Sequence, residues 1–101
     1  MNSFGEIIKI AREDKGLFLR QVAASIDIDQ GIISKFEHSE RIPTKPQVEK
    51  FIKFYKLNKK KVFASWLSDK IAYSLLNEEN VEEALLDVVE KIKNLKKKKN
   101  E

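Results

Sequence analysis

A chain of 101 residues with 42% hydrophobic and 36% charged side chains, three Gly and two Pro can build one small core, which excludes fibrous and low-complexity classes. There is no run of about 18 apolar residues for a membrane span, the first residues show a helical pattern with acids where a leader would be basic and then apolar, and the absence of Cys excludes disulfides and thiolate metal sites. A cytoplasmic protein without cofactor, metal or membrane partner is expected, and the net charge of +4 allows a polyanionic partner without requiring one.

Ser3-Phe4-Gly5-Glu6 has the spacing of a capping box. It opens a first helix with an inner stripe of Phe4, Ile7, Ile8 and Ala11, ending near Lys15 with Gly16 to close it. A second helix spans Leu19 to Ser25, with Leu19, Val22, Ala23 and Ile26 at helical spacing. Asp29 is a good N-cap for a third, Gln30 to about His38, which buries Ile33 and Phe36. Arg41-Ile42-Pro43 is a loop, since Pro disfavours helix in the residue before it. Thr44-Lys45-Pro46-Gln47 is a second capping box, and the fourth helix turns Val48, Phe51, Ile52 and Tyr55 to one face. After a break at Asn58, a fifth helix carries Phe63, Trp66, Leu67, Ile71 and Leu75 on its buried side. With no strand pattern, the fold class is all-α.

The last segment differs in kind. Asn80 and Glu83 have the spacing of a third capping box, after which Val81, Leu85, Val88, Ile92 and Leu95 recur at intervals of four, three, four and three. Glu78, Glu79, Glu82 and Glu83 stand at the positive start of this helix, and Lys91, Lys93 and Lys96 to Lys99 at its negative end. A lone helix of this length is marginal in water, so the seam needs a partner. It either folds back on the fifth helix or pairs with its counterpart in a second chain.

Two short helices joined by a tight connection, Leu19 to Arg41, make a helix-turn-helix, whose second helix can enter a DNA major groove. With Ile33 and Phe36 inward, Gln30, Gly31, Ser34, Lys35 and His38 face outward. Gln pairs with adenine N6/N7 and Lys with guanine O6/N7, so Gln30, Gly31, Ser34 and Lys35 are the expected base-reading set. Gly31 costs roughly 1 kcal/mol against Ala in a helix, a cost explained if the backbone must approach DNA closely. Ile32 is left with two roles, packing on a thymine methyl or completing the core. His38 is expected to cap the end of its helix.

The run Gly16-Leu17-Phe18-Leu19-Arg20-Gln21-Val22-Ala23, then Ile26-Asp27-Ile28-Asp29, then Ile33-Ser34-Lys35-Phe36-Glu37 and Arg41-Ile42-Pro43 resembles the phage-repressor (Cro/cI)/Xre-type helix-turn-helix family over about residues 4–67. The resemblance implies a five-helix lambda-repressor-like domain binding operator DNA as a dimer, followed here by the C-terminal amphipathic helix. It also implies that Arg12 pairs with Glu37, and that Arg20, Arg41 and Lys45, with Gln21 and His38, contact the DNA backbone. Such contacts set register and affinity without reading sequence. The chain departs from the pattern at Phe18, where an N-cap Ser or Thr is usual, at Asp27 in place of a turn Gly, and at His38-Ser39 in place of Asn-Gly.

One His, no Cys, no Gly-rich phosphate loop and no clustered ligands leave no catalytic set, so an enzyme is not expected. The expected organisation is a DNA-binding domain at 1–67 and a C-terminal dimerisation segment at 68–101, with Val81, Leu85, Val88, Ile92 and Leu95 as the dimer seam. The expected function is a nucleoid-associated transcriptional regulator, a homodimer on a pseudo-palindromic operator. The competing expectation is an antitoxin-like interaction module whose last helix captures a partner protein. A non-specific nucleoid binder is disfavoured by the modest charge and by the outward Gln30 and Ser34.

Overall fold

In a computed structural model, which describes residues 2–100, the chain forms six α-helices: α1 Phe4–Asp14, α2 Leu19–Ile26, α3 Gln30–Glu37, α4 Lys45–Tyr55, α5 Lys59–Leu75 and α6 Val81–Lys99. No strand occurs among the described residues. The first five helices enclose one core in which Phe4, Ile8, Val22, Ile33, Phe36, Val48 and Phe51 are fully buried. Phe51 of α4 is its hub, meeting Phe4 edge-on at 5.7 Å and Phe36 at 6.1 Å and stacking on Tyr55 at 6.2 Å. Aromatic pairs in these geometries add about 0.5–1.5 kcal/mol each beyond area burial.

The helix ends follow local chemistry. Ser3 Oγ accepts the Glu6 N–H at 3.2 Å, and Thr44 and Gln47 exchange both bonds of a capping box. Gly16 closes α1 in the left-handed conformation, with the Leu17 N–H reaching the Arg12 carbonyl at 3.1 Å. Asp27 closes α2 at φ 55°, taking the conformation a Gly would supply. The Asn80–Glu83 box does not form: Asn80 sits at φ 62° and its side chain caps nothing. Left-handed backbone turns that side chain away from the N–H groups of the first turn, and only its carbonyl serves the helix, accepting from Ala84 at 3.1 Å.

The fifth helix corrects its predicted buried stripe. Val62 and Trp66 are buried and Phe63 half-buried, but Leu67 and Ile71 are exposed. The reason is length. α1 and α4 have 11 residues each and α5 has 17, so α5 outruns its neighbours by roughly 9 Å. Polar bonds hold the overhang: Asp69 Oδ2 accepts the Phe4 N–H at 2.9 Å, and the Tyr73 hydroxyl donates to the Ser39 carbonyl at 2.7 Å. α6 then leaves the core, with every described residue after Val81 exposed. The radius of gyration, 16.0 Å, exceeds the about 13 Å of a compact domain of this size.

Among the described residues, one buried side-chain group is unsatisfied. The Tyr55 hydroxyl has no hydrogen-bond partner, and burial, helped by the Glu37 charge, pushes its pKa up to about 12. An unpaired buried hydroxyl costs about 1–3 kcal/mol, so Tyr55→Phe should raise stability by roughly 1 kcal/mol in urea unfolding. Because ionisation is easier in the unfolded chain, stability should fall as pH rises from about 10 towards 12, and Tyr55→Phe should flatten that alkaline limb. A destabilised Phe variant would mean that the hydroxyl has a partner after all.

Candidate nucleic-acid interface

α3 is short, 8 residues, and is fixed from three sides. Ile33 and Phe36 anchor it in the core. At its C-terminal end, a Cβ on Gly5 of α1 would fall on the Phe36 carbonyl oxygen, so α1 and α3 approach as closely as backbone allows and only Gly fits. Beside that contact, Arg12 Nε donates to Glu37 Oε2 at 2.8 Å and Nη2 to Oε1 at 3.0 Å, while Nη1 donates to the Leu17 carbonyl at 2.9 Å. One guanidinium thereby ties α1, the α1–α2 connection and α3 together. The hydrogen bonds to Glu37 raise the Arg12 pKa further above its ordinary value. Glu37 is only 6% exposed.

The opposite face of α3 is free. Gln30, Gly31 and Lys35 are exposed and Ser34 is half-buried. Ile32 is also half-buried and packs against the core, the second of its two expected roles. At the N-terminus Asp29 Oδ2 accepts the Ile32 N–H at 3.2 Å, and a Cβ on Gly31 would stand 3.1 Å from that oxygen. The carboxylate can give by a few tenths of an ångström, so Gly31 is not demanded by the fold. Gly31→Ala should therefore unfold no earlier than the parent, helped by the better helix propensity of Ala. If the backbone meets the bases at Gly31, operator affinity in a mobility-shift titration should drop about tenfold, roughly 1.4 kcal/mol. Unchanged affinity would remove Gly31 from the reading face.

The flanking residues are arranged less simply. Phe18 is 60% exposed, and the Arg20 guanidinium lies over its ring at 4.8 Å, so the apolar residue in the cap position is a platform for the cation. Gln21 Oε1 accepts the Phe18 N–H at 2.8 Å, which restores half of the missing cap and leaves only the amide NH₂ for a phosphate. His38 Nδ1–H donates to the Ser34 carbonyl at 2.7 Å, a helix-end cap that leaves only Nε2 of the ring for a further contact. Ser39 follows at φ 58°, and the Glu40 N–H reaches back to the Lys35 carbonyl at 2.9 Å, a Schellman closure made without glycine.

Arg41 and Lys45 are exposed on the loop and first turn beyond α3. Trp66 Nε1–H donates to the Pro43 carbonyl at 2.8 Å and fixes that loop on α5, and the Lys45 ammonium lies 5.5 Å above the Phe63 ring. None of these roles of Trp66, Phe63 and Phe18 is legible in helical periodicity, which marks only their apolar character. Gly5 did carry a signal, a Gly inside an otherwise good first turn. Val81, Leu85, Val88, Ile92 and Leu95 lie on α6, outside this group of residues, and all of them but Val81 are exposed.

An α-helical head in which two short helices meet at a tight turn and the second exposes a polar face defines a helix-turn-helix protein. A helix-turn-helix family model matches residues 8–60, and the chain belongs to the Xre/Cro–cI-type helix-turn-helix family of DNA-binding regulators. Neither the curated proteins nor the solved structures contain a match. The matched span ends within the first turn of α5, so α6 and most of α5 lie outside it. Among the described residues, no helix is long and apolar enough to cross a membrane.

Proposed function

We propose that the chain is a sequence-specific transcriptional regulator that binds a pseudo-palindromic operator as a homodimer, with α3 in the major groove of each half-site. One observation carries this reading: α3 exposes Gln30 and Lys35 on one face while its other face and its C-terminal end are locked by Phe36, Gly5 and the Arg12–Glu37 fork. Recognition geometry needs such a rigid mount. Gln30, Gly31, Ser34 and Lys35 read bases; Arg20, Arg41 and Lys45 hold phosphates, with Gln21 contributing its amide. His38 is the remaining backbone candidate, through the part of its ring that the helix-end cap does not use.

Residues 1–67 form the reading head and 68–101 the dimerisation arm, the boundary falling within α5 where that helix outruns the core. The protein works on DNA in the cytoplasmic nucleoid. The exposed seam of α6 supports the arm's role, because it leaves apolar side chains in water along the whole helix. Selection of bound sequences from random duplexes, followed by mobility shifts at two salt concentrations, tests the proposal. A selected inverted repeat whose half-sites lie about one helical turn apart is the expected result. Equal affinity for every duplex would refute it, and a monomer that associates only with another protein would favour the partner-capture module.

A further inference from the structure

The homodimer reading leaves open how two copies of α6 meet, and the charge order along the helix decides it. We infer that the arms pair antiparallel, so that the acidic start of each α6 lies along the lysine-rich end of the other; this rests on the proposed homodimer. The seam of Val81, Leu85, Val88, Ile92 and Leu95 sets which residues flank it: Glu82, Val89 and Lys96 on one side, Ala84, Lys91 and Lys98 on the other. Flanking charges choose partner and orientation in paired helices.

In a parallel pair, Lys91 of one copy would approach Lys96 of the other twice over, and the runs Lys96 to Lys99 would lie side by side. In an antiparallel pair, Leu85 faces Leu95 and Val88 faces Ile92 of the other copy, and both flanks change character. Glu82 then meets Lys96 at both ends, and Val89, 54% exposed in one chain, meets its own copy across the two-fold axis. The single like-charge approach left is Lys91 to its copy. Reversing the direction therefore replaces the lysine repulsion on both flanks of one end with a Glu82–Lys96 attraction at each end, and covers an apolar residue outside the seam.

The separation of the heads agrees. In this register the two Val81 residues, where the arms join the heads, stand about 27 Å apart along the axis, 18 rises of 1.5 Å. A parallel pair would bring them within roughly 8–10 Å. Half-sites one turn apart are centred about 34 Å from each other, so the antiparallel arm delivers two heads at nearly the needed spacing. The overhang of α5 is itself fixed to the end of α3 through Tyr73 and Ser39, so that spacing is transmitted to the reading helix.

The full chain contains no Cys, so single substitutions report one position each. Leu85→Cys and Leu95→Cys chains, mixed and oxidised, should give a cross-linked dimer between the two variants. Leu95→Cys alone should give none, its two copies lying about 15 Å apart, beyond the reach of a disulfide. Glu82→Lys should weaken dimerisation several-fold by sedimentation, and adding Lys96→Glu should restore it. Efficient self-cross-linking of Leu95→Cys would overturn the antiparallel arrangement and leave the homodimer standing. A dimer by sedimentation with no cross-link in either experiment would place the interface elsewhere and also overturn it. A monomer throughout would remove the homodimer and this arrangement together.

Discussion

Glu37→Ala should cost about 3–5 kcal/mol of folding stability in urea denaturation. The loss comes from what remains behind. Arg12 keeps its charge at any accessible pH, and its Nε and Nη2 would lose their only acceptors at a site where the carboxylate they face is 6% exposed. Arg12→Ala should also be strongly destabilising, because it leaves the buried Glu37 carboxylate without its partner. Replacing both, Arg12→Met with Glu37→Leu, should recover most of the stability, as paired burial of charge gains little over well-packed apolar side chains. Since domains of this size are stable by only about 5–15 kcal/mol, the single variant is best measured cold. A loss under about 1 kcal/mol would show the pair to be a surface contact.

The double variant also separates stability from recognition. Arg12 additionally holds the Leu17 carbonyl, just before Phe18 and Arg20, so the fork sets the approach of α2 as well as α3. A refolded apolar pair would keep the core and lose that third bond, and operator affinity should stay below that of the parent even where stability does not.

The helices were legible in the sequence because apolar spacing and N-caps are local. Ser3, Asp29 and Thr44 all cap as their spacing implies. The ends were legible where Gly16, Asp27 or His38 marks them. Gly16 closes α1, but Ser39 and Lys56 take left-handed backbone with no residue preference to announce it, imposed by the contacts that turn the chain there. The stripe on α5 misled for a different reason. Leu67 and Ile71 have the periodicity of core residues, yet burial depends on how far α1 and α4 extend, which α5 does not encode. Asn80 shows the same limit, since its capping spacing presumes a backbone conformation that the turn before α6 does not adopt. At the interface, the outward set on α3 followed from knowing the inward set. Phe18 as a support for Arg20, and Gln21 as a cap, depend on side-chain directions that spacing does not give.

Removing residues 78–101 should leave the unfolding transition of the head within about 0.5 kcal/mol of the parent, while operator affinity falls on the order of 100-fold. The two halves of this expectation have separate causes. Among the described residues of α6 only Val81 is even half-buried, so the core loses little with the helix. The head also keeps its own closure of α5, since Asp69 and Tyr73 lie before the cut. Affinity falls because a second head tethered by the arm binds at high effective concentration, and an untethered one does not. Binding to a single half-site should be unaffected, and the truncated chain should no longer distinguish a full operator from an isolated half. If it still occupied the operator as a dimer with parental affinity, the heads would have to associate directly. The exposed seam of Val81, Leu85, Val88, Ile92 and Leu95 would then belong to a different partner, the outcome expected of a protein-capture module.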